Sequence, residues 1–336
     1  QQAVLARHPT SAAIFLPGGQ PPAPRAIFRN LPLARTFQSL TDAETRALKG
    51  GADRDKALSA AYDQFYTGPI AQDMTRFSQA NGGWLRMEDM RAYRPVWEQP
   101  VSTVYRGLDV YCSPLTSRTG LELCEQLNIV EGWDLASLAG DRASLTHLLI
   151  EAIKITKADV YRYAGDPRFV DVPVATLLSK DFAATRRKLI DRLQAIAFPE
   201  GAALATGKQP DRPTAIDEDT RGGDTTSLSV VDKEGNAIAV TTTIGGGFGT
   251  SVMMGDTGLL CNNGLRVGST APYADHPNAV APGKRALLGN GPVIVLDKGQ
   301  LKLVCGTPGG ETIGQTQFQF LINALDLEMP IQQAIE

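Results

Sequence analysis

The stretch Asp224-Thr225-Thr226-Ser227-Leu228-Ser229-Val230-Val231-Asp232-Lys233-Glu234-Gly235-Asn236-Ala237-Ile238-Ala239-Val240-Thr241-Thr242-Thr243 decides how this chain is read. Val, Ile, Leu and Thr fill two short runs, and Asp232-Lys233-Glu234-Gly235-Asn236 turns between them, the pattern of a β-hairpin. Thr225 opens the first strand straight after a long polar stretch, and the second strand runs into Gly245-Gly246-Gly247. A threonine at the edge of a cleavable linker can become a new N-terminus. Its hydroxyl would then be the nucleophile and its own α-amine the base.

Upstream, residues 199–224 hold Pro, Gly, Asp, Arg and Thr with hardly any large apolar side chains. Such a stretch buries too little surface to offset its ordering entropy, so it reads as a flexible linker or a tether before a processing site. Before it, apolar spacing predicts helices over 55–65, 70–80, 120–130, 141–164 and 180–197, with a strand over 101–111. Residues 10–54 are rich in Pro, Gly and Arg and show only short apolar clusters, with Thr41 a plausible helix cap and Glu44 three residues on. Downstream, Leu259-Leu260-Cys261 reads as a short strand. Val293 to Leu296 and Leu301 to Cys305 read as a second hairpin, and a helix follows over 312–325. Helices first and hairpins later suit helices packed over a largely antiparallel sheet.

Composition narrows the classes. With 336 residues, 43% hydrophobic content and a net charge of −3, the chain can bury a sizeable core and carries no basic surplus for nucleic acid or an anionic membrane. No apolar run approaches the roughly 18 residues of a membrane span. Cys112, Cys124, Cys261 and Cys305 lack a CxxC spacing, which excludes zinc ribbons and dithiol redox motifs and leaves buried thiols, with room for one disulfide. His8, His147 and His276 are isolated from one another, which argues against metal ligation and against a serine–histidine–aspartate site.

Seven further motifs stand in order along the chain: Phe65-Tyr66-Thr67-Gly68-Pro69-Ile70-Ala71, Asn81-Gly82-Gly83, Tyr105-Arg106-Gly107, Tyr163-Ala164-Gly165-Asp166-Pro167, Asn262-Asn263, Pro282-Gly283-Lys284-Arg285 and Thr307-Pro308-Gly309-Gly310. With the run from Thr225 to Thr243 they resemble the γ-glutamyltranspeptidases (glutathione hydrolases) over most of residues 60–336. The resemblance implies an α+β fold, the αββα sandwich of N-terminal-nucleophile hydrolases, with antiparallel sheets between helix layers. It implies self-cleavage of the Asp224–Thr225 bond. Residues 1–224 would then be part of a mostly helical large subunit, and 225–336 part of the small subunit. Thr225 matches the nucleophile, Thr243 the threonine that hydrogen-bonds it, and Gly309 and Gly310 the glycines whose N–H groups form the oxyanion hole. No cofactor or metal is implied. The expected partners are a small-molecule amide substrate and the chain's own two subunits. The family resemblance points to a periplasmic or secreted protein, with the cytoplasm left open because no signal is visible.

The substrate-binding positions depart from the family pattern. Val267 falls where an acidic residue after the Asn-Asn motif holds the substrate's α-ammonium, and Gly264, beside Asn263, replaces a polar neighbour. Leu288-Gly289 stand in place of a serine pair that grips the α-carboxylate, and Gly245 in place of an asparagine near the oxyanion. Ser227 stands where a histidine is usual, and the segment between Asn263 and Pro282 is shorter than in enzymes with a lid. An ammonium desolvated without its carboxylate costs several kcal/mol. The leading expectation is therefore a self-processing N-terminal-threonine amidohydrolase or acyltransferase whose acyl group need not be glutamyl. The alternatives are a true glutathione hydrolase or transpeptidase, and an inactive paralogue that serves as a binding module. Counterparts of the family's first strands, of its carboxylate-binding arginine and of its last strands are not found, so the sequence is expected to be part of a longer protein.

Overall fold

The computed structural model describes residues 1–197, 223–266, 269–271 and 273–336. Most of the expected linker at 199–224, and Val267, therefore lie outside the described residues. The chain forms two compact units.

The first unit comprises Gln1–Trp97 and Gly246–Asn263. It holds α1 (Gln2–Leu5), α2 (Pro9–Phe15), α3 (Leu31–Lys49), α4 (Arg54–Tyr66), α5 (Pro69–Ala80) and α6 (Met87–Ala92). Helix α3 corrects the reading of residues 10–54. Its N-cap is Asn30, whose Oδ1 accepts the Leu33 N–H at 3.0 Å, and Thr41 lies inside the helix with its hydroxyl on the Gln38 carbonyl at 2.9 Å. Only Thr36 and Ala43 of α3 are buried, with Leu33, Leu40 and Ala47 half-buried beside them, so its inward face carries only a thin apolar stripe. The returning segment 246–263 is held largely by side chains. Ser11 Oγ donates to the Ser251 carbonyl at 2.7 Å and accepts the Met253 N–H at 2.9 Å, and Thr36 Oγ1 donates to the Thr257 carbonyl at 2.7 Å. These bonds satisfy backbone groups that a sheet would otherwise pair. The strand expected at Leu259–Cys261 is accordingly reduced to one bridge, Met253 to Leu260.

The second unit comprises Glu98–Gly245 and Gly264–Glu336. Its sheet is antiparallel with the order β1 (Val101–Tyr105), β2 (Leu108–Cys112), β5 (Val293–Asp297), β6 (Gln300–Cys305). The hairpin β3 (Gly223–Val231) and β4 (Ala237–Gly246) forms a second sheet, and β3 packs against β6. The single strand expected over 101–111 is two, because the chain turns at Arg106–Gly107 and pairs Tyr105 with Leu108. Helices α7 (Arg118–Val130), α8 (Arg142–Tyr163), α9 (Val174–Leu177), α10 (Lys180–Arg187), α11 (Ile313–Leu325) and α12 (Ile331–Ile335) complete the unit. Val101, Val110, Cys112, Val293 and Val295 point from the sheet into the core shared with α7, α8 and α11. Every residue of α7 is buried. The helix expected over 180–197 stops at Arg187, whose guanidinium caps the end of α7 by donating to the Ile129 and Asn128 carbonyls at 2.6 and 2.9 Å. Beyond it Asp191 Oδ1 accepts the Leu193 and Gln194 N–H groups, a local turn that competes with helix. All four cysteines are free thiols, with Cys112 and Cys124 buried and their Sγ atoms 3.6 Å apart.

Strand β2 lies before residue 224 and β5 after it, and they pair from Asp109–Leu296 to Cys112–Val293. The central sheet is thus built from both sides of the Asp224–Thr225 bond.

Asp166 ties the end of α8 to the loop at 282–285. Its carboxylate accepts from Arg168 Nε at 3.0 Å and from the Arg285 N–H at 2.8 Å. Burial alone would raise its pKa, but the Arg168 fork and these N–H groups outweigh it and hold the carboxyl at about 2, below the ordinary 3.8. A carboxyl depressed in the folded state stabilises the fold above its unfolded pKa, and the contribution is lost as pH falls from about 4 through 2. We expect the parent protein to lose roughly 2 kcal/mol of urea stability through this group over that window. Asp166→Asn should be less stable at pH 6 and should lack that part of the acid sensitivity. Parallel pH curves for the two proteins would remove Asp166 from the account.

Candidate active site

Alternation along β3 leaves Thr225 and Ser227 half-buried while Thr226 and Leu228 are exposed. On β4 the same alternation leaves Thr241 and Thr243 half-buried and Thr242 exposed. The two inward hydroxyl rows meet at Gly306, the residue after β6, where a Cβ would sit 2.2 Å from Ser227 Oγ. A cavity of about 680 Å³ opens at the start of the hairpin, lined by Asp224, Thr225, Thr226, Thr242, Thr243, Ile244, Pro308 and Gly309.

Within it the Thr225 and Thr243 hydroxyl oxygens are 3.2 Å apart. Thr243 Oγ1 donates to the Asp224 carbonyl at 2.8 Å and accepts the Gly245 N–H at 2.9 Å. One hydroxyl therefore touches both the side chain of residue 225 and the carbonyl of the peptide bond that precedes it. Gly245, a sequence candidate for substrate contact, presents its N–H to Thr243.

Gly309 reaches the cavity at φ +140°, a backbone setting that disfavours any side chain. It caps the 3₁₀ turn Gly310–Thr312, and Thr312 Oγ1 closes that turn on the Gly309 carbonyl at 2.9 Å. Helix α11 follows directly, so the partial positive charge of its N-terminal end lies behind the glycine pair. A Cβ on Gly289 would lie 3.3 Å from the Gly310 carbonyl and 2.8 Å from Arg118 Nη2. The guanidinium of Arg118 pairs with Glu311. Neither residue carries a signal in the sequence, because nothing in the spacing joins position 118 to position 311.

Asn263 belongs to the first unit, where its Oδ1 accepts the Gly246 N–H at 2.9 Å. Gly264 and Leu288 are half-buried residues of the second unit, and Leu288 forms a bridge with Ser117. Among the described residues no group of His, Cys, Asp and Glu is arranged to hold a metal ion, and no helix is long and apolar enough to cross a membrane.

A family model for gamma-glutamyltranspeptidase matches residues 1–336 of this sequence. The chain belongs to the γ-glutamyltranspeptidase family. Its relatives include an acylase ACY 1 proenzyme of Pseudomonas sp. (strain SE83), 33% identical over 332 residues that cover 99% of this chain and 53% of that protein. A glutathione hydrolase proenzyme of Escherichia coli (strain K12) is 32% identical, covering 98% of this chain and 54% of its own length. Among solved structures, a cephalosporin acylase from Bacillus halodurans superposes with a TM-score of 0.77 at 28% identity, covering 95% of this chain and 51% of that one. The α+β class, with helices on antiparallel sheet, is that of its γ-glutamyltranspeptidase-family neighbours. The chain spans about half the length of the curated relatives it matches. The match also extends into residues 1–59, where no motif had signalled it.

Proposed function

We propose that this γ-glutamyltranspeptidase-family chain cuts itself at Asp224–Thr225 and then acts as an N-terminal-threonine amide hydrolase or acyltransferase. The observation that carries the reading is the Thr243 hydroxyl placed between the Thr225 hydroxyl and the Asp224 carbonyl, in a cavity shared with Gly309. In the self-cleavage, Thr225 Oγ1 adds to the Asp224 carbonyl carbon while Thr243 donates to the oxygen that gains charge. The C–N bond breaks, the nitrogen takes a proton, and water hydrolyses the resulting ester. The freed α-amine, with an ordinary pKa of roughly 7.7–8.0, is neutral in about a tenth to a sixth of molecules at pH 7 and in more above it, enough to serve as a base. It deprotonates Thr225 Oγ1 for attack on a substrate amide. The oxyanion meets the N–H groups of Gly309 and Gly310, the amine leaves with a proton, and water or an amine acceptor takes the acyl group. Residues 1–224 and 225–336 then belong to separate polypeptides held by the β2–β5 pairing, and they should part only on denaturation.

The acyl group favoured is one without an α-ammonium. Val267 offers no carboxylate for an α-ammonium, and the relatives include proteins named acylases. Glutaryl-p-nitroanilide and γ-glutamyl-p-nitroanilide share the terminal carboxylate and differ in the α-ammonium alone. With the full-length processed protein, kcat/KM should be at least about tenfold higher for the glutaryl compound, because an unmatched ammonium is costly to bury. Equal or better turnover of the γ-glutamyl compound would favour the second reading, a glutathione hydrolase like the Escherichia coli relative.

A further inference from the structure

Arg118 opens α7 and is only 7% exposed. Its guanidinium pairs with Glu311, and its Nε lies 3.7 Å from Glu122 Oε1. Glu122 lies in turn 3.4 Å from Lys157 Nζ. Four charges of alternating sign therefore run from α8 through α7 to the turn that directly follows Gly309. The same guanidinium reaches the Leu287 carbonyl, its Nη1 lying 3.4 Å away, and the Arg118 N–H donates to the Leu288 carbonyl at 2.9 Å. Its Nη2 occupies the space that a side chain at position 289 would need. One side chain thus sets two backbone segments, 287–289 and 309–311, on neighbouring sides of the Gly310 carbonyl.

Packing does not require this arrangement. Leu121, Leu123, Leu127 and Ile129 already bury α7 in the core. Replacing a buried ion pair by apolar residues of similar volume is often neutral or stabilising. A charge chain that stability does not demand, and that ends on the residue after the glycine pair, fits a device for holding that pair in place.

We propose that Arg118, backed by Glu122 and Lys157, is a positioning residue that fixes the N–H groups of Gly309 and Gly310 through Glu311. This rests on the reading of those N–H groups as oxyanion donors. It predicts a separation of the two reactions. In self-cleavage the Asp224 carbonyl is held by Thr243, so that step is independent of the glycine turn. In turnover of an external amide the turn is needed.

The test uses the full-length protein and whichever of the two p-nitroanilides the parent turns over. Glu311→Gln and the double variant Arg118→Met/Glu311→Leu are compared with the parent for self-cleavage, thermal stability, kcat and KM. The expected result is complete self-cleavage, KM within threefold, and kcat lowered about 10- to 100-fold in both, the scale of misplacing a catalytic donor by about 1 Å. Unchanged kcat in Glu311→Gln would overturn the proposal, as would a raised KM at unchanged kcat. If Glu311→Gln is unstable, the double variant decides. Stability and kcat recovering together would reduce the pair to a structural role, whereas recovered stability with kcat still low supports positioning. Turnover that survives Thr225→Ala in the parent points instead to a wrong nucleophile, a failure of the underlying reading and not of this one.

Discussion

Thr225→Ala is expected to leave the Asp224–Thr225 bond intact and to lower amide turnover by at least about 10⁴-fold, the scale seen when a covalent nucleophile is removed. The size of the effect follows from the absence of a substitute nearby among the described residues. Thr226 has a hydroxyl but projects to the exposed side of β3. Ser227 shares the inward side but lies at Gly306, with its Oγ on the Val240 carbonyl at 3.3 Å. Thr243 keeps its bond to the Asp224 carbonyl in the variant, yet it is positioned to polarise that carbonyl oxygen, not to attack the carbon. Thr225→Ser keeps an oxygen at the same place and should retain both reactions at reduced rate. A gel showing two fragments from Thr225→Ala would contradict the assignment.

Gly309→Ala is expected to lower kcat by about 10²–10³-fold with a small change in KM, comparable to deleting one oxyanion donor. At φ +140° an alanine is strained by roughly 1–3 kcal/mol. Its Cβ would also lie 2.9 Å from Thr312 Oγ1, the hydroxyl that closes the turn. The turn must therefore shift, and the N–H at its head shifts with it. Self-cleavage should persist, because the Asp224 carbonyl depends on Thr243. Steady-state kinetics on protein of known processed fraction would check this. A variant impaired only in KM would move Gly309 from the oxyanion to substrate binding.

The hairpin was legible because its two signals are local: alternating β-branched residues and a turn rich in Asp, Gly and Asn. Helix α8 was legible for a similar reason, with apolar residues at helical spacing and Asp141 capping Ser144. Helix α3 was not, because only Thr36 and Ala43 of its 19 residues are buried and its cap, Asn30, lies in a polar, proline-rich stretch. The early end of α10 was hidden because tertiary contacts of Arg187 and a side-chain turn at Asp191 decide it.

At the candidate site, Thr225 and Thr243 bracket one run and Gly309 belongs to another motif, and the fold brings the three to one cavity. Asp224 entered as the residue before a cleavage point, but its carbonyl contact with Thr243 needed coordinates. Gly245 was legible as a departure from a family asparagine, whereas its N–H on Thr243 was not. Arg118 and Glu311 were invisible, since an ion pair across 193 positions leaves no local pattern.

The most direct measurement is the intact mass of the purified full-length protein, before and after acid quenching during turnover of glutaryl-p-nitroanilide. The account predicts two polypeptides, one beginning at Thr225, with one acyl group on that residue in the quenched sample. An active protein that remains a single uncut chain, or an acyl group carried on any other residue, would contradict it.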